Sequence, residues 1–235
     1  MLHTFVQKII RRLKNNPNYC LDASLNVSLL LPVLGMRGLA FVRGWLKHFR
    51  LAHSRGALFI GKHVQLRHPR LIRTGRSVII EDYVLIDALS QQGVQLGNNV
   101  TVARSTIIQC TGVISQLGVG LSIGDNSAIG AYSFLGAQGG IKIGSDVIMG
   151  PRVNIHSEDH CYDDVKTPIR LQGVRRLGVI VENDCWIGAG VIILDGVRIG
   201  RGCVVAAGSV VKNSMPAYSV VAGAPARVVK NRRTD

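Results

Sequence analysis

The sequence predicts an all-β solenoid, a parallel β-helix of about seven three-sided coils, and three observations carry that reading. First, aliphatic residues recur at every sixth position from Val181 to Val211, through Ile187, Ile193, Ile199 and Val205. That spacing is neither the 3.6 period of a helix nor the alternation of a hairpin strand. Second, small residues (Gly188, Gly200, Ala206) follow three of these six aliphatics, where the backbone has to turn a corner. Third, 47% of the chain is hydrophobic but only 5% is aromatic, which suits a stack of Ile, Val, Leu and Gly better than a globular core.

The same rule runs backward. It assigns inward positions to Ile60, Leu66, Ile72, Ile80, Ile86, Leu96, Val102, Ile108, Ile114, Ile123, Ile129, Leu135, Ile143, Met149 and Ile155. Steps longer than six fall at 72→80, 86→96, 114→123, 135→143 and 155→181. Grouped in threes from Ile60, four of those five steps lie between coils and so at one corner of a prism. The largest, residues 156–180, reads as a loop built out from the solenoid, where function is expected to sit. Three segments follow: a helical extension over 1–55, the β-helix over 56–215 with the loop inside it, and a basic cap over 216–235.

In the extension, Val6, Ile9, Ile10 and Leu13 share a helical face beside Lys8, Arg11, Arg12 and Lys14, and Pro17 marks the end. A second apolar stretch, Leu29 to Leu46, is interrupted by Pro32, Arg37 and Arg43, which argues against a membrane-spanning helix. Two compatible readings stand for residues 1–55: a cap shielding the edge of the first coil, or a peripheral contact with an anionic membrane. Corner residues such as Asn98, Asn99, Asp125, Asn126 and Asp146 read as turn formers, not metal ligands.

The net charge of +14 attracts polyanions, but no nucleic-acid-binding signature accompanies it, so no nucleic acid partner is expected. Five cysteines without a CxxC pair, and no signal peptide, favour a reduced, cytoplasmic protein, with a peripheral position at the inner face of the cytoplasmic membrane if residues 1–55 bind lipid. The loop gathers His156, Glu158, Asp159, His160, Asp163 and Asp164 with Arg170, Arg175 and Arg176. Histidine can take and return a proton near neutral pH, and a neighbouring carboxylate can orient it. In the cap, Arg227, Lys230, Arg232 and Arg233 offer phosphate-binding charge.

The repeat, the His-bearing loop, Trp186-Ile187-Gly188 and the ending Val221-Ala222-Gly223-Ala224-Pro225-Ala226 together resemble the hexapeptide-repeat acyltransferases, most closely the branch of sugar and polysaccharide O-acetyltransferases. The resemblance covers residues 60–232. It implies a left-handed winding, a homotrimer with active sites between neighbouring prisms, and acetyl-CoA as donor. By the same resemblance His160 is the general base; of its neighbours, Glu158 or Asp159 would orient it, unless a backbone carbonyl does, and His156 would bind or orient the acceptor. Ala189, Ala207 and Lys212 line the pantetheine arm, and Arg227 and Lys230 meet the nucleotide phosphates. Positions where the galactoside and maltose enzymes contact their acceptor hold Gly130 and Gln138 here, which points to another sugar, in a cell-surface polysaccharide or its lipid-linked precursor. Cys161 beside His160 is a weaker nucleophile candidate. Alternatives are acetylation of an antibiotic, serine or amino sugar, a γ-carbonic-anhydrase-like metalloenzyme lacking its third histidine, and a non-catalytic solenoid. No metal is expected.

Overall fold

A computed structural model describes residues 2–14, 16–22 and 24–233. Its body is a prism of three sheets visited in rotation, with seven, nine and seven strands. Face A comprises 53–54, 72–74, 94–96, 121–123, 141–143, 179–181 and 198–199; face B comprises 58–60, 78–80, 101–102, 128–129, 148–149, 186–187, 204–205, 219–223 and 226–231; face C comprises 65–67, 85–87, 107–109, 134–136, 154–156, 192–193 and 210–211. Neighbouring strands of each face are parallel and in register, as in Leu135↔Ile155 and Ile129↔Val102. The exception is the last strand of face B, 226–231, which folds back antiparallel on 219–223 to close the end.

Every inward position named from the sequence, bar Ile114, is buried or packed on the core. Ile60, Ile72, Ile86, Ile108, Ile155, Ile187, Ile193 and Ile199 are completely inaccessible to water. Each such side chain contributes about 1.5–3 kcal/mol by leaving water. Ile114 is 86% exposed. It belongs to an outward loop, 110–120, between strand 107–109 of face C and strand 121–123 of face A. With Ile114 removed, the long steps are 72→80 between faces A and B, and 86→96, 108→123, 135→143 and 155→181 between faces C and A. Four long steps therefore do share one edge, but they are not the same four: 72→80 leaves the set and 86→96 joins it. The inward place on the first strand of face A is held by Ser54, bonded by Thr74 Oγ1 at 2.9 Å, so no aliphatic marked it.

Corners turn through a left-handed residue in third place. Asn99, Asn126, Asp146 and Asp184 take this role with φ of 55–60°, and so do Ser77, Ser105, Tyr132 and Arg152. The corner side chains bond from turn to turn: Asn99 Nδ2 donates to Asn126 Oδ1 and Asn126 Nδ2 to Asp146 Oδ1, at 3.0 and 3.1 Å. Asp125 accepts the Asn98 amide at 2.7 Å. Asp125 is spent on a turn amide, as its residue type suggests, and the others on one another.

Helix α1 (Leu2–Lys14) stops before Pro17, and its last carbonyls accept from Ser77 Oγ and Asn99 Nδ2. Helix α2 (Val27–His48) starts at Asn26, whose side chain accepts the Leu29 amide at 3.0 Å. Pro32 does not break it. It lies in the second turn, removes one amide donor, and the helix runs on. The C-terminal half of α2 packs on strand 58–60, with Phe41 and Phe59 ring centroids 5.8 Å apart. Gly44 makes that approach possible, because a Cβ there would lie 1.8 Å from the Leu58 carbonyl oxygen. Gly44→Leu is expected to undock α2 at a cost of about 1–3 kcal/mol, leaving the solenoid folded. Limited proteolysis would show it as faster cleavage within 27–48, and an unchanged rate would place the docking elsewhere.

Candidate functional site

The long steps put four loops side by side on the C–A edge: residues 88–93, 110–120, 137–140 and 157–178. They are stitched together by backbone bonds. Gln91 and Gln92 amides donate to Gly118 and Val119 carbonyls, each at 2.9 Å, and the Val119 amide donates to Gln138 at 2.9 Å. Ser157 is fully buried where the largest loop leaves the prism. Its hydroxyl donates to the Gly136 carbonyl at 2.7 Å and accepts the Gly139 amide at 2.9 Å. At the loop's return, Asp195 accepts the amides of Leu177 and Gly178 at 3.0 and 2.8 Å.

Between those anchors the chain forms a short antiparallel hairpin, Asp159–His160 against Val174–Arg175. His160 faces Val174 in register and its side chain is exposed. Asp159 pairs with Arg175 at 3.5 Å, across from it on the same hairpin. At the tip, Asp164 binds the Lys166 amide and the Thr167 hydroxyl, and the Thr167 bond, the larger cause, holds its carboxyl below the usual carboxylate range. Glu158 does not reach for His160. Its carboxylate accepts from Arg176 Nε at 2.6 Å, and Arg176 Nη1 then donates to the carbonyls of Gln116 and Leu117 at 3.3 and 3.4 Å. The pair clamps the hairpin onto loop 110–120, in place of the orienting role expected for Glu158. Ser157 and Asp195 are the supports the sequence did not single out, and nothing in local composition sets them apart from ordinary loop and corner residues; Arg176 stood out only as one of the loop's cations.

His156 ends strand 154–156, exposed, its ring centroid 5.6 Å from that of Phe134. The cysteines near the site differ in character. Cys161 is half-buried on the hairpin, whereas Cys110 at the root of loop 110–120 is buried, and burial pushes its thiol up to about 12. A thiol held protonated in this way is no nucleophile at neutral pH. Among the described residues no three His, Cys, Asp or Glu side chains gather in an arrangement that could hold a metal ion.

The residues expected along the donor lie elsewhere. Ala189 and Ala207 stack on the B–C edge, exposed, with the Gly208 amide bonded to the Ala189 carbonyl at 2.8 Å. Gly188, just before Ala189, has to be a glycine: a Cβ on it would sit 2.5 Å from the Ala207 nitrogen. Arg227 pairs with Ala222 at the B–C end of the closing hairpin, two strands below Ala207. Lys230 pairs with Val220 at the opposite end of that strand, toward the A–B edge. Lys212 follows strand 210–211 and stands on the C–A edge. The structure thus groups Ala189, Ala207 and Arg227, and separates them from His156, His160 and Lys212 by the whole width of face C.

Residues 178–213 match the family model of the bacterial transferase hexapeptide (six repeats), and residues 120–150 that of the hexapeptide repeat of succinyl-transferase. A Mycobacterium tuberculosis protein named "Probable acetyltransferase Rv3034c" is 34% identical over 200 residues, 82% of this chain and 57% of its own length, so this chain spans little more than half of that relative. A 2,3,4,5-tetrahydropyridine-2,6-dicarboxylate N-acetyltransferase of Staphylococcus aureus is 56% identical over 52 residues, 22% of each chain. Among solved structures, AntD, an N-acyltransferase from Bacillus cereus in complex with dTDP and 3-hydroxybutyryl-CoA, superposes with a TM-score of 0.54 at 24% identity, covering 81% of this chain and 88% of that one, and supports the fold. With its six-residue repeat and its three-faced parallel prism, the chain carries the transferase hexapeptide repeat that these two family models describe, over residues 120–150 and 178–213.

Proposed function

We propose that this protein transfers an acetyl group from acetyl-CoA to a hydroxyl of a sugar, in a cell-surface polysaccharide or its lipid-linked precursor. The observation that carries the reading is the pair of edges flanking face C. One bears an exposed histidine on a clamped hairpin, the other a ladder of small residues ending at an arginine. Alone, the two edges cannot form one site. Face C between them carries a row of outward apolar residues in register, Leu85, Ile107, Phe134, Ile192 and Val210, broken only by Asn154. Face A shows Arg73, Gln95, Ser122, Lys142 and Arg198 in the equivalent places, with Ile180 the one apolar residue of that row. Three copies turned with face C inward would cover the apolar row and bring the histidine edge of each against the ladder of the next. A left-handed winding of the coils accompanies this assembly.

In that cleft His160 removes the proton of the acceptor hydroxyl as its oxygen attacks the thioester carbonyl. The acetyl ester forms, the carbon–sulfur bond breaks, and the proton passes from His160 to the departing thiolate. General base action contributes about 10²–10⁴-fold, and holding both substrates in one cleft contributes further by proximity. The ladder fits a pantetheine arm because it leaves backbone, not side chains, at the surface. Arg227, with Lys230 and Lys212 further away, supplies cations for phosphates. His156 at the end of face C would contact the acceptor.

An amine acceptor is the second reading, since the relatives whose reaction is named to the atom are N-acyltransferases. Hydroxylamine separates the two, cleaving an acetyl ester and sparing an amide. The donor is tested by calorimetry with acetyl-CoA. Micromolar binding that weakens about tenfold in Arg227→Ala with Lys230→Ala, one charge-assisted contact being worth about 1.5–3 kcal/mol, is expected. Absence of binding by folded protein would sink the acetyl-CoA reading.

A further inference from the structure

Helix α2 wears its charges on the wrong side for a helix in water. The carbonyls of Ile60 and Val64 face the open end of the prism, where no earlier strand exists to pair with them. Arg43 Nε donates to Ile60 at 2.8 Å and Lys47 Nζ to Val64 at 3.1 Å, while Arg37 reaches Glu81 at 4.0 Å. Ala40 and Gly44 are buried on the same flank. Arg43 and Lys47 are therefore turned inward, and Arg37, though exposed, leans toward Glu81 on the same flank. The opposite flank is wholly apolar and open: Leu39, Val42, Trp45 and Leu46, with Phe49 just beyond the helix, are 59%, 50%, 55%, 60% and 72% exposed. A contiguous apolar face of this kind is rare on a surface that only meets water.

We propose that this face of α2 lies in the plane of an anionic lipid bilayer, its side chains among the acyl chains and the end of the prism resting on the headgroups. Two observations choose lipid over a second copy of the chain. The flank offers hydrocarbon and one indole, with no charge to complement a protein surface, and Trp favours the boundary between hydrocarbon and headgroup. The net charge of +14 opposes pairing end to end with a like-charged copy and draws the protein to an anionic surface. Just beyond the helix, the exposed Arg50 is placed to meet lipid phosphates. Length and composition alone would let α2 cross a membrane. Its inner flank is committed to the solenoid instead, with Gly44 against the Leu58 backbone, so it lies on the surface.

The placement bears on the acceptor, a clause that rests on the function proposed above. Strand 154–156, from which the His160 hairpin springs, is four strand spacings along face C from the first-turn strand 65–67. At about 4.8 Å per spacing the catalytic edge stands about 20 Å from the bilayer, within reach of the glycan of a lipid-linked sugar and not of its lipid phosphate.

Cosedimentation with phosphatidylglycerol vesicles tests this without any transfer reaction. The full chain is expected to pellet with them and far less with phosphatidylcholine vesicles. Trp45→Glu with Leu46→Glu is expected to lose about 100-fold or more in partitioning, with circular dichroism and acetyl-CoA binding unchanged. Arg50→Glu is expected to lose about fivefold. Equal sedimentation of wild type and the Trp45–Leu46 variant would overturn the proposal. So would a wild type that ignores vesicles and whose mass in solution falls when those two residues are changed, since a second copy would then cover the face.

Discussion

His160→Ala is expected to lower kcat for acetyl transfer by about 10²–10⁴-fold, the range for losing a general base, with acetyl-CoA binding and the folded assembly retained. The side chain is exposed on a two-residue strand and supports no core contact, so its loss removes chemistry and leaves structure alone. His156→Ala is the informative companion. That residue is fixed at the end of face C against Phe134, where it would touch the acceptor, so its loss should appear mainly in KM. Steady-state kinetics on both variants decides between them. Near-normal kcat in His160→Ala together with collapse in His156→Ala would move the base four residues upstream. Glu158→Gln probes a different property. It weakens the clamp of Arg176 onto the Gln116 and Leu117 carbonyls, so a loss there would reflect a loosened hairpin and not a mis-oriented imidazole.

The contrast between Ile114 and its neighbours shows how far the repeat can be read. Ile108 and Ile123 are buried because the chain is on the prism at both points, whereas Ile114 satisfies the same spacing on a loop that has left it. A six-residue rule counts aliphatics along the chain and carries no information on whether the backbone still follows the corner. Ser54 is the reverse case, a true inward position carried by a hydroxyl bonded to Thr74. Residues 156–180 were legible as an excursion because a rigid repeat makes its own interruptions visible. The pairing inside it was not, since Glu158–Arg176 and Asp159–Arg175 depend on the register of a hairpin whose strands are two residues long. The basic, apolar N-terminus was equally plain in composition. Which flank of α2 its cations occupy was set by the unpaired carbonyls of Ile60 and Val64, groups that exist only once the prism has an end.

Ala189→Trp should be as damaging as loss of His160, because an indole on the B–C ladder would fill the channel proposed for the pantetheine arm. The two inactive variants are expected to rescue each other. In a ring with heterologous contacts, each site takes its ladder from one subunit and its histidine from the next. A site is intact when a His160→Ala subunit supplies the ladder and an Ala189→Trp subunit supplies the hairpin. Random assembly at equal amounts makes about one site in four of that kind, and about one in three once both tags have removed the single-variant trimers, so activity should return from a hundredth or less to about a third of wild type. Coexpression of differently tagged variants, purification through both tags and a single rate measurement checks it. Sites contained within one chain would give no recovery, whatever the mixture. Recovery is expected because no chain brings its own ladder to its own histidine: in one molecule the row from Leu85 to Val210 separates them, and only a neighbouring copy can close the gap.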